Sequence, residues 1–115
     1  MLAKDFAAPD RRLFTDPAVR AVSHADFAEA MAQGPQGWLR DSRVLAPPWG
    51  FDARDVPARV TLWHGSEDSN VPLEAVSRLA ARLPDAHLQT MPGEGHFWFH
   101  AHWREVLAQL RAPVE

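Results

Sequence analysis

Two side chains in this sequence have the types and the surroundings to do chemistry together: Asp68 in His64-Gly65-Ser66-Glu67-Asp68, and His96 in Gly93-Glu94-Gly95-His96. Each stands in a glycine-bearing turn after a short apolar run that has the pattern of a buried strand. A carboxylate bonded to one ring nitrogen fixes the imidazole tautomer. It also stabilises the imidazolium formed when the other nitrogen takes a proton from a hydroxyl. Asp68 and His96 are therefore candidates for the acid and base of a Ser-His-Asp triad. A nucleophile of matching quality is missing, because no Gly-x-Ser-x-Gly occurs. Ser42 lies between Asp41 and Arg43, Ser66 and Ser69 flank Asp68 in its own loop, and Ser77 lies in a helical stretch.

The elements that must position this pair follow from periodicity. A nearly continuous apolar and β-branched run from Arg59 to His64 predicts a parallel strand covered on both faces. Leu73, Val76, Leu79, Ala80 and Leu83 recur at helical spacing, so a helix is expected over Leu73 to Leu83, stopped by Pro84-Asp85. His87 to Met91 predicts a second strand, Pro92 to His96 a turn, and Trp98 to Leu110 a closing helix with Trp103, Val106, Leu107 and Leu110 on one face. The order strand, helix, strand, helix implies a right-handed crossover and a parallel pair.

Ahead of this unit the sequence is helical. Pro9 to Phe14 fits one short helix, and Thr15-Asp16-Pro17 offers a cap followed by proline at the first helical position. Val19, Val22, Phe27, Ala30 and Met31 form an apolar stripe that ends at Gly34-Pro35. Gly37 to Leu45 predicts a further helix, and Ala46-Pro47-Pro48-Trp49-Gly50-Phe51 a crossing loop anchored by aromatics. These helices are expected to form a lid or packing layer, with Asp52 to Ala58 a polar connector. No strand precedes the first helical pattern, which leads to the expectation that the chain is part of a longer α/β arrangement.

Composition narrows the classes. The 115 residues are 46% hydrophobic and 23% charged, with a net charge of -3. That suits one globular domain, and nucleic acid is not expected as a partner. The absence of cysteine excludes thiolate catalysis, disulfides and sulfur-ligated metal. No apolar stretch reaches the roughly 20 residues of a membrane span. The first ten residues lack the pattern of a signal peptide, so no membrane is expected and the cytoplasm is the default location.

Taken in order, the apolar strand, His64-Gly65-Ser66-Glu67-Asp68, Val71-Pro72, the helix, the short strand and Gly93-Glu94-Gly95-His96 resemble the C-terminal part of α/β-hydrolase fold enzymes. Pro48-Trp49-Gly50-Phe51 and the helices before it are similar to that family's cap and the return from it. The resemblance implies a partial α/β-hydrolase fold, with two parallel strands, flanking helices and an N-terminal helical cap segment. Residues 1–51 would form the cap-like segment and crossing loop, and residues 52–115 the C-terminal β-α-β-α part. By position, Asp68 matches the triad acid and His96 the base. The family's nucleophile elbow and glycine-rich oxyanion loop have no counterpart. What is implied is hydrolysis of an ester or related acyl substrate only once a nucleophile-bearing N-terminal part completes the site, with no cofactor.

Other readings attach to the same residues. Asp68 alone fits a turn-capping aspartate, His64 a structural strand-end histidine, and Glu94 an alternative partner for His96. His96, His100 and His102 with Asp68 invite a zinc reading, but no glutamate lies inside the spacing and His96 precedes the helix. The tryptophans are read as core and cap packing. From a different class comes a non-catalytic interaction module that associates with a partner chain or another copy through an exposed sheet edge.

Overall fold

The computed structural model describes residues 6–111. Among them lie five α-helices and two strands, in the order α1 (Ala8–Leu13), α2 (Pro17–Met31), α3 (Gln36–Leu45), β1 (Val60–Gly65), α4 (Leu73–Ala80), β2 (Ala86–Met91) and α5 (Phe99–Arg111). One turn of 3-10 helix covers Ala53–Asp55. The chain is mixed α/β.

Local chemistry starts and stops these elements within a few residues of where the residue pattern places them. At α2 the Asp16 carboxylate accepts the N–H of Ala18 at 2.8 Å, and Pro17 occupies the first turn, where its missing N–H costs nothing. Gly34 ends the following turn with φ of 83°, a conformation that favours glycine. Helix α4 is shorter than its apolar periodicity suggests. It closes at Ala80, and Leu83 then donates to the Leu79 carbonyl at 3.3 Å. Pro84 explains the stop, because it brings no N–H for the Ala80 carbonyl and pushes Leu83 away from helical geometry.

The strands pair in parallel with the register Val60↔Ala86, Leu62↔Leu88, His64↔Thr90 and Gly65↔Met91. Side chains alternate across such a pair, so Trp63 and Gln89 share one face. That face receives α5: Trp98, just ahead of the helix, stacks on Trp63 with ring centroids 5.8 Å apart, and Gln109 donates to Gln89 at 3.3 Å. Helix α4 packs on both strands, while α1, α2, α3 and α5 touch other elements sparsely.

Packing is thin outside this unit. Among the described residues Met91 is the one large apolar side chain that is buried, joined by the polar Asp10 and His64. The α2 stripe expected to face a core stands largely in water, with Val22 and Phe27 more than half exposed. The chain exposes 8972 Å², against about 6,300 Å² for a folded monomer of its mass. Its radius of gyration of 16.4 Å exceeds the roughly 13 Å of a compact domain of this length. No helix among the described residues is long and apolar enough to cross a membrane.

Candidate active site

The site is built at the carboxyl ends of β1 and β2, where open parallel sheets present their loops. After Gly65 the chain turns so that the Asp68 N–H reaches back to the Gly65 carbonyl at 3.3 Å. Asp68 Oδ1 then accepts the N–H groups of Asn70 at 2.8 Å and Val71 at 2.9 Å. This local bonding, the habit of an aspartate in a turn, leaves Oδ2 aimed outward. His64 closes the loop from within: its Nε2–H donates to the Val71 carbonyl at 3.0 Å. The same nitrogen lies 3.7 Å from Asp68 Oδ2, too far to bond it.

His96 reaches Oδ2 from the second turn. Its Nδ1 lies 2.9 Å from Asp68 Oδ2. The Asp68 side chain is 3% exposed and that of His96 35%, so the acid is buried while the ring borders solvent. Burial pushes the Asp68 carboxyl up. The Val71 N–H, the His96 ring and the Asn70 N–H outweigh that burial and hold it below the ordinary carboxylate value. A carboxylate facing Nδ1 keeps the ring proton there, which makes Nε2 the nitrogen able to accept a proton. The Phe97 ring and the imidazole pack at right angles, centroid to centroid 5.1 Å.

The two turns are stitched to each other. Gly93 donates to Ser66 Oγ at 2.8 Å, Glu67 to the Glu94 carbonyl at 2.8 Å, and Ser66 to the Met91 carbonyl at 3.0 Å. Gly93, with φ of 71°, supplies the left-handed residue the second turn needs. Gly65 and Gly95 serve for a different reason than the sharp turning their sequence positions suggest, since neither has positive φ. A Cβ on Gly65 would collide with the Gly95 carbonyl oxygen, and one on Gly95 would collide with the Asp10 carboxylate. Close approach is what requires both glycines.

No family model, curated protein or solved structure matches the chain. What the site can do rests on its own geometry, which brings together Asp68 and His96 and assigns the neighbouring candidates elsewhere. Ser66 Oγ accepts the Gly93 N–H. Glu94 accepts from His102 Nε2 at 3.2 Å instead of meeting His96, and His102 Nδ1 reaches Glu105 at 3.0 Å. Hydrogen bonding first to Glu105 and then to Glu94 raises the His102 pKa above its ordinary value. Among the described residues no group of three or more histidine, aspartate or glutamate side chains is arranged to hold a metal ion.

Asp10 is the residue that sequence reasoning missed. It is 2% exposed, and its two carboxylate oxygens accept the backbone N–H groups of His96 at 3.0 Å and Phe97 at 2.9 Å. Around it Phe14 and Phe6 pack on Phe97, at 5.0 and 5.4 Å between ring centroids. The only local signal was an aspartate in the first turn of a short helix, which ordinarily faces water. A groove of about 720 Å³, lined by Pro48, Trp49, Phe51, Leu79 and Arg82 among others, lies between the crossing loop and α4 and does not include Asp68 or His96.

Proposed function

We propose that the chain carries the acid and base of a Ser-His-Asp triad, Asp68 and His96, in an arrangement resembling the C-terminal part of an α/β-hydrolase. A nucleophilic serine would come from an α/β part docked on it. The observation that carries this reading is the 2.9 Å contact of His96 Nδ1 with the buried Asp68 carboxylate, on turns at the carboxyl ends of two parallel strands. In that role Asp68 orients the ring and His96 Nε2 takes the serine proton as the hydroxyl attacks an ester-like carbonyl. Nε2 then returns the proton to the leaving group. The large exposed area and a sheet of only two strands among the described residues support a docked partner, because parallel sheets are covered on both faces.

The test is to purify the chain from its source cells in whatever assembly it forms and measure two signals: hydrolysis of p-nitrophenyl acetate and labelling of a serine by a fluorophosphonate. Both are expected in the assembly, and both are expected to vanish with Asp68→Ala or His96→Ala. Activity that survives both substitutions, or an assembly that takes up no fluorophosphonate, would reject the reading. A second reading draws on the same open sheet edges: a non-catalytic module that pairs with another copy of itself. Concentration-dependent association at micromolar levels in sedimentation would favour it, and a clean monomer would reject it.

A further inference from the structure

The two hydrogen bonds of Asp10 fall in a particular place. The N–H of His96 belongs to the peptide plane before the His96 Cα, and the N–H of Phe97 to the plane after it. Planar peptides leave a residue two soft backbone angles, so holding both flanking planes fixes both. What then remains free in His96 is its side chain, which Asp68 bonds at Nδ1 and Phe97 packs against. The turn is also clamped from two directions. Asp10 presses on Gly95 from one side and the end of β1 approaches through Gly65 from the other, each contact closer than a Cβ would permit. Burying a carboxylate is costly unless its oxygens are bonded, and Asp10 spends both on this one turn.

Resting on the triad reading above, we infer that Asp10 is the positioning residue of His96. It holds the backbone so that Nδ1 meets Asp68 and Nε2 faces the place of the attacking hydroxyl. Asp10 does this without touching the imidazole. The competing role is structural only: an anchor that fastens α1 to the sheet and leaves the His96 ring indifferent.

Histidine-selective ¹⁵N NMR on the full 115-residue chain separates the two, reading each imidazole's protonation site and the low-field proton of a carboxylate-bonded Nδ1. Asp10→Asn keeps the shape but turns an amide NH₂ toward one of the two N–H donors. Gly95→Ala displaces the carboxylate without altering it. Both, with Asp10→Ala, are expected to abolish the low-field His96 signal in a folded chain. Asp16→Ala, which removes the cap of α2, should leave it in place. The inference is overturned if either Asp10 variant folds and keeps the signal, if all three variants lose the fold altogether, or if Asp16→Ala erases the signal as well. Failure of the triad reading looks different. It would appear as a missing low-field proton in the unsubstituted chain, or as a signal that Asp68→Asn does not remove.

Discussion

At the carboxyl end of the sheet, short polar bonds cross-tie Ser66, Glu67, Asp68, Gly93, Glu94 and His96, with Asp10 underneath. From Pro17 to Phe51 no residue is buried, and Val22, Phe27, Trp38, Leu45, Trp49 and Phe51 stand more than half exposed. The first region holds its geometry through hydrogen bonds that need few apolar neighbours. The second has regular helices, capped and punctuated, but nothing among the described residues to bury their apolar faces. The geometry of the two turns can therefore be specified locally while the apolar faces of the helices ahead of them stand uncovered among the described residues.

The largest expected effect tests the first region's role. In an assembly that hydrolyses p-nitrophenyl acetate, Asp68→Ala or His96→Ala should lower the rate about a thousandfold or more, the order lost when a triad member is removed. Equal rates in the variants would break the comparison, because the cross-tied turns would then be mere connectors.

Stability should divide along the same line. Asp68 is buried and accepts two N–H bonds besides its contact with His96. Asp68→Ala should therefore cost about 3 kcal/mol, the order for hydrogen bonds to a charged group. Gly65→Ala forces a methyl onto two carbonyl oxygens of the His96 turn, for roughly 1–3 kcal/mol. Val22→Ser and Phe27→Ser should stay within about 0.5 kcal/mol, as exposed positions do. Urea unfolding of the isolated chain measures all four. A cost for Phe27→Ser equal to that for Asp68→Ala would mean that α2 is packed after all.

What was legible in the sequence follows the range of the forces involved. Proline and aspartate at α2, Pro84 after α4 and Gly93 in the second turn act within a few residues, so the elements could be read from their neighbours. The two turns that bring Asp68 and His96 into contact could be placed because a glycine turn after an apolar run is also a local sign. Asp10 could not be placed. Its partners lie at His96 and Phe97, and no periodicity links a first-turn aspartate to a turn so far along the chain. The exposure of the α2 and α3 faces was equally hidden, since an apolar stripe predicts a contact without naming what supplies it.

A smaller effect probes the second region alone. Asp16→Ala removes the bond to the Ala18 N–H and should cost α2 about 1 kcal/mol. Because α2 touches other elements sparsely, amide exchange should quicken within Pro17–Met31 and hardly change in β1 and β2. Exchange that quickens in the sheet as well would show the two regions to be coupled.

A pH-dependent effect of at most similar size concerns how α5 is held to the His96 turn. His102 bridges Glu105 on its own helix and Glu94 in the turn, and its pKa is raised by hydrogen bonds to Glu105 and Glu94, in that order. A raised value in the folded state means that the bridge contributes fully below the ordinary histidine value of about 6.5 and is lost as pH climbs through the folded-state value. Asp68 has the opposite sign. Its lowered pKa makes its contribution complete above the ordinary carboxylate value of about 3.9 and lost as pH falls through the folded-state value. Urea midpoints should therefore favour the unsubstituted chain over His102→Gln by at most about 1 kcal/mol, as for partly exposed ion pairs. That advantage should be greatest between about pH 5 and 6.5, where histidine is charged and carboxylates remain ionised, and it should shrink on further titration with base. A difference that does not vary with pH would mean that packing of the imidazole, and not its charge, ties α5 to the turn.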